Sequence, residues 1–193
     1  VQVVPDLNPY IAKGQPFMLV ADCATQKSRH IVKWIEEALR FRPDDSVMVV
    51  SCRIVHAIDV HADLRRLGFG LYSERAEEDT SDTRVVCQLN SIIHYASKPD
   101  YNIVVLDEVV SILAYMALGN ATLRSRERRR THMQHVEMLQ RLCAGADYLL
   151  LADAHMNMDG RVHDFLAGVV PGRSVHQLVL TGKNPACMRT LRL

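Results

Sequence analysis

The feature that most constrains this chain is its alternation of short, continuously apolar runs with stretches of helical periodicity. Two predicted strands, Tyr101–Leu106 and Asp147–Ala152, carry the unbroken apolar runs Ile103-Val-Val-Leu106 and Tyr148-Leu-Leu-Leu-Ala152. A strand exposed on one face alternates polar and apolar residues, so an unbroken run belongs to a strand covered on both faces. Further strands are predicted at Phe17–Ala21, Ser46–Val50, Gly70–Ser73, Arg84–Cys87 and Ser174–Leu180. Between them, Ile31, Trp34, Ile35 and Leu39 mark one face of a helix over about Lys27–Arg40. A second helix is predicted over Ile54–Leu67, stopped by Gly68, and a short one over Leu89–Tyr95. Glu108–Leu118 and Leu123–Cys143 read as helices around Gly119-Asn120, and Met156–Leu166 as another. Glu77–Asp82 reads as an acidic turn, and Thr181–Leu193 shows no clear pattern. Strands alternating with helices give βαβ units and a mostly parallel sheet flanked by helices on both faces.

The 193 residues, 48% of them apolar, suit a single domain with a proper core. Formal net charge is only +1, so no global field advertises a polyanionic partner, although local phosphate contacts need none. The five cysteines (23, 52, 87, 143 and 187) lack CxxC spacing and read as reduced thiols of an intracellular protein, nuclear or cytoplasmic. Cys23 and Cys52 suit small apolar positions near strand ends. No apolar stretch is long enough to span a bilayer and no signal peptide is visible, so no membrane role is expected. His132 and His135 are one helical turn apart without further ligands, which reads as a polar helix face rather than a metal site. Arg124–Arg130 reads as a solvated, charged helix face, and Trp34 as a core residue.

Open parallel sheets place ligands at the carboxyl ends of their strands. The first predicted strand leads through Ala21-Asp-Cys-Ala-Thr-Gln-Lys-Ser28 into a helix. That layout, with Lys-Ser at the helix start, suits a phosphate-binding loop in which Lys27 reaches phosphates and Ser28 holds Mg²⁺. Gln26 stands where such a loop has glycine, which burdens both the backbone conformation and the space for phosphate. A plain helix start is the competing reading. Asp107 and Glu108 close the central run, and adjacent carboxylates there suit one Mg²⁺ carboxylate and one base for water. Asp107 suits a helix cap equally well. Both signals occur in the chain order that one nucleotide site requires.

On these residues the chain resembles the first RecA-like domain of superfamily 2 helicases, most closely the herpesvirus-type replication origin-binding protein family. The likeness runs over about Phe17–Leu180. The family's loop, approximately Ala-Pro-Met-Gly-Thr-Gly-Lys-Thr, aligns without a gap to Ala21–Ser28, with Ala24 and Gln26 replacing both glycines. Val49-Val-Ser-Cys-Arg53 and Val86-Cys-Gln-Leu-Asn-Ser91 are similar to segments that face nucleic acid. Leu106-Asp-Glu-Val-Val-Ser-Ile112 is similar to the Asp-Glu motif, and Ala146–Ala154 to a stretch that couples hydrolysis to strand movement. The resemblance implies an ATP and Mg²⁺ site formed by Ala24, Thr25, Gln26, Lys27 and Ser28, with Asp107 on the metal and Glu108 as hydrolytic base. It implies contacts of Arg53, Gln88 and Ser91 with single-stranded or origin DNA, and a coupling role for Asp153. Replication proteins are implied as further partners. A helicase needs a second RecA-like domain, and residues 1–193 read as one unit without it. The competing functions are a decayed helicase-like scaffold and a P-loop kinase using Arg124–Arg130 as a lid.

Overall fold

The computed structural model describes residues 6–22, 26–74, 83–95, 100–122, 126–156, 160–180 and 187–192, with backbone alone for 118–122, 126–131 and 187–192. The acidic segment Glu77–Asp82 lies outside these residues, as do Arg124 and Ser125 and the side chains of 126–130.

The apolar runs become strands β1 (Phe17–Ala21), β2 (Val47–Ser51), β5 (Ile103–Asp107) and β6 (Tyr148–Asp153). β1, β2 and β5 are buried at every position, and β6 at all but its first. β3 (Gly70–Leu71), β4 (Arg84–Gln88), β7 (Ser174–Leu180) and β8 (Cys187–Arg192) complete one sheet, ordered β3-β4-β2-β5-β6-β1-β7-β8. The first seven strands are all parallel. β8 pairs antiparallel to β7 at one edge, in the segment where the sequence shows no pattern.

Alternate strand residues separate into two cores, as a two-residue side-chain period dictates. Phe17, Leu19, Val47, Val49, Val105 and Leu150 pack with helices α1 (Lys27–Phe41) and α2 (Ile54–Leu64). Met18, Val20, Met48, Val50, Val104, Leu106 and Leu151 pack on the other face with α3 (Val109–Thr122), α4 (Arg126–Gly145) and α5 (Gly160–Val169). Trp34 is buried on α1, its ring 6.5 Å from that of Tyr148. The turn after α2 ends on Gly68 at φ +81°, a left-handed conformation that glycine adopts freely.

Several boundaries differ from expectation. Gly70–Ser73 yields only a two-residue strand followed by a 3-10 turn over Tyr72–Glu74, and Leu89–Tyr95 is a 3-10 segment. α5 is described over Gly160–Val169, residues 157–159 of the expected helix lie outside the described residues, and Met156 is fully buried. His132 and His135 do not form a polar face. Both are buried, with Nε2 2.7 Å from the Met116 carbonyl and 2.8 Å from the Asn90 carbonyl, pinning α4 to α3 and to the 3-10 segment. A ring nitrogen satisfied by a backbone acceptor removes the cost of burying it.

Candidate functional site

Strand register sets the chemistry along one edge of the sheet. Asp107 lies opposite Ser51 on one side and Ala152 on the other, Ser51 lies opposite Gln88, and Asp153 lies opposite Val20. These pairs are the carboxyl ends of parallel strands, where crossover connections leave a crevice. At the end of β1, a cleft of about 430 Å³ is lined by Ala21, Asp22, Gln26, Lys27, Ser28, Arg29 and Ala154. Ala24 and Thr25 lie outside the described residues.

Lys27, the first residue of α1, sends its ammonium across the end of β6 to Asp107, with Nζ 2.9 Å from Oδ1. β6 separates β1 from β5 in the sheet, so this contact joins two loops that are not on neighbouring strands. Asp107 is 1% exposed, and a buried carboxylate requires partners. Its Oδ1 also accepts the Glu108 N–H at 3.0 Å, and its Oδ2 lies 2.6 Å from Nε2 of His56. Burial pushes the Asp107 carboxyl up, but the His56 hydrogen bond and the Lys27 charge outweigh it and hold it below its ordinary 3.8. The hydrogen bond to Asp107 in turn raises His56 above its ordinary 6.5, against the opposing effect of burial.

The linkage fixes a pH dependence. The stability His56 contributes is full below about 6.5 and is lost as the pH rises through its raised folded value. That of Asp107 is present above 3.8 and is lost as the pH falls through its lowered folded value. The urea midpoint of the wild type is therefore expected to decline more steeply from pH 6.5 to pH 8.5 than that of His56→Gln. Parallel denaturation series at each pH measure the difference.

Two residues at the site have left-handed backbones despite carrying side chains: Gln26 at φ +59° and Glu108 at φ +61°. Such conformations cost about 1–2 kcal/mol per non-glycine residue and persist where surrounding structure imposes them. Gln26 precedes α1 in the position that phosphate loops reserve for glycine, and it holds the left-handed turn regardless. Its side-chain Oε1 accepts a hydrogen bond from Arg29 Nη1 at 3.1 Å. Gln26→Gly is expected to raise stability by up to about 1 kcal/mol, the removed strain exceeding the lost surface hydrogen bond. Urea denaturation of the two proteins side by side checks it.

Glu108 has its Oε2 buried without a hydrogen-bond partner. Arg53 Nε stands 3.8 Å from that atom, within ion-pair range and beyond hydrogen-bond reach. Arg53 caps the start of α2, and its side chain is 74% exposed. Gln88, closing β4, donates to the Cys52 carbonyl at 3.4 Å and accepts from the Tyr72 hydroxyl at 3.2 Å. Ser91 is half-buried in the following 3-10 segment. Arg53, Gln88 and Ser91 thus follow the ends of β2 and β4, beside rather than inside the Lys27 cleft. Burial and then the nearby Glu108 raise the Cys52 thiol, which favours its protonated form.

Asp153 has a different neighbourhood. Its Oδ2 accepts the Val110 N–H and its Oδ1 the His155 N–H, both at 2.9 Å. The first turn of α3 is therefore capped from the end of β6, not by Asp107. No motif marks His56, one histidine within a helix. Its spacing of three residues from Arg53 was the available clue, since such a pair shares a helix edge.

The arrangement suits Mg²⁺. A hard cation takes oxygen donors, and magnesium typically keeps one or two protein ligands beside phosphate and water. The Asp107 carboxylate and the Ser28 hydroxyl are oxygen donors of that kind. Among the described residues no group of three or more His, Cys, Asp or Glu forms a metal cage, and a magnesium-phosphate site requires none.

Seven parallel strands with helices on both faces make a RecA-like fold. The fold matches the Sulfolobus solfataricus SWI2/SNF2 ATPase core solved in complex with dsDNA, with a TM-score of 0.55 at 10% identity. The match covers 86% of this chain and 32% of that one, so this chain spans about a third of its structural relative. Residues 4–184 match the family described as origin of replication binding protein. The chain belongs to that family. No curated protein matches it. Among the described residues no helix is long and apolar enough to cross a membrane.

Proposed function

We propose that this chain is the nucleotide-binding motor domain of an ATP-dependent DNA helicase of the origin-binding type. The observation that carries the proposal is the 2.9 Å contact between Lys27 Nζ and Asp107 Oδ1 across β6. It brings a phosphate-binding ammonium and a metal-type carboxylate together beside a cleft at a helix start.

In this reading the first amides of α1 and the Lys27 ammonium hold the triphosphate. Asp107 and the Ser28 hydroxyl would hold Mg²⁺, which would neutralise phosphate charge. Lys27 exchanges Asp107 for phosphate as the nucleotide enters. Glu108 orients the attacking water and takes its proton through an oxygen that has no hydrogen-bond partner. Gln26 lines the cleft, and the family resemblance adds Ala24 and Thr25 to the loop's proposed nucleotide contacts. Arg53, Gln88 and Ser91 meet the DNA backbone, and Asp153 transmits loop movements to α3 through Val110. A second RecA-like domain supplies the arginine that completes the site. DNA and other replication proteins are its partners, in the nucleus or cytoplasm.

A decayed site serving as a scaffold is the second reading, favoured by the side chain at Gln26 and its strained backbone. Family membership supports both over a P-loop kinase. Calorimetric titration of MgATP into the full-length protein, with and without single-stranded DNA, separates the two. Submillimolar binding supports the motor, whereas no heat at millimolar nucleotide supports the scaffold.

A further inference from the structure

The start of α2 reaches both acids of the candidate site from a strand that carries neither of them. Arg53, at its cap, approaches Glu108, and His56, one turn later, approaches Asp107. The second contact is the tighter, at 2.6 Å to a carboxylate that is 1% exposed. It is also firmly anchored. Ser51 lies in register with Asp107, the Arg53 carbonyl accepts the Ala57 N–H at 3.0 Å, and Ala57 and Val60 are buried against the sheet.

The two oxygens of Asp107 are held differently. Oδ1 is held by Lys27 and by the Glu108 N–H, and Oδ2 by His56. In the proposed cycle Lys27 leaves for phosphate, which opens one side of Oδ1 while the Glu108 N–H stays on it and His56 keeps Oδ2. A carboxylate fixed at one oxygen has lost its freedom to rotate before the cation arrives. Hydrogen bonds of this kind orient metal ligands, and removing them typically costs about 10–100-fold in metal affinity.

We propose that His56 is a positioning residue for the metal-binding carboxylate, fixing Asp107 through Oδ2 so that Oδ1 faces the cation. The proposal rests on the motor reading of the site. It needs only an Nε2–H donor, which the charged ring and one tautomer of the neutral ring both supply. Arg53 shares the helix turn, so the same segment that is exposed for nucleic acid also holds the metal carboxylate.

The test is ATP binding by calorimetry on the full-length protein over a series of Mg²⁺ concentrations, with Mn²⁺ binding followed in parallel by electron paramagnetic resonance. His56→Ala is expected to raise the Mg²⁺ midpoint about 10-fold and to weaken Mn²⁺ similarly, with metal-free ATP affinity unchanged. His56→Gln, which offers an amide N–H, is expected to stay within about threefold of wild type. Should alanine unfold the chain, His56→Phe fills the space without a donor and carries the same expectation. An unmoved Mg²⁺ midpoint in Ala or Phe, beside a wild type that binds MgATP, overturns this role alone. A wild type that binds no nucleotide overturns the motor reading, and this role with it.

Discussion

Lys27→Ala is expected to weaken MgATP binding by at least about 100-fold, or about 2.7 kcal/mol. Hydrogen bonds to charged groups contribute about 1.5–3 kcal/mol each, and Lys27 is proposed to serve two phosphates. The substitution also removes one partner of a buried carboxylate. His56 and the Glu108 N–H still hold Asp107, so the stability loss is expected near 2 kcal/mol rather than the full cost of an orphaned charge. Calorimetry at a temperature where circular dichroism shows the variant folded separates the two effects. Equal MgATP affinity in the two proteins would contradict the assignment.

Glu108→Gln is expected to behave in the opposite sense, binding MgATP within about threefold of wild type while hydrolysing it about 10²–10⁴-fold more slowly. The amide keeps the shape of the side chain and loses the ability to accept a proton. Arg53 lies 3.8 Å from the carboxylate and loses an ion pair, but its exposed side chain makes that loss small. Steady-state hydrolysis in the presence of single-stranded DNA gives kcat and KM separately. A fall confined to kcat fits a proton acceptor, and a rise confined to KM would show that Glu108 merely helps to bind nucleotide.

The central architecture was legible because buried strands declare themselves. Ile103–Leu106 and Tyr148–Ala152 have no polar interruption, as strands covered on both faces read. Asp107 and Glu108 were visible for a related reason: charge at the end of such a run needs an explanation. β8 was not legible, because edge strands need satisfy only one neighbour and so carry a weak pattern. His132 and His135 misled because burial of a histidine depends on a carbonyl supplied by a different element, Met116 in one case and Asn90 in the other. The same holds for His56, whose meaning comes from a carboxylate 51 positions away in sequence. Gln26 sits between these cases. Its identity argued against a left-handed turn, and the backbone adopts one nonetheless.

The most direct measurement is a crystal structure of the full-length protein with Mg²⁺ and a non-hydrolysable ATP analogue. The account predicts the triphosphate in the cleft at the start of α1. Lys27 would be turned from Asp107 onto phosphate oxygens, and the cation would lie against Asp107 Oδ1. Nucleotide bound elsewhere, or Lys27 still on Asp107 at saturating analogue, would contradict it.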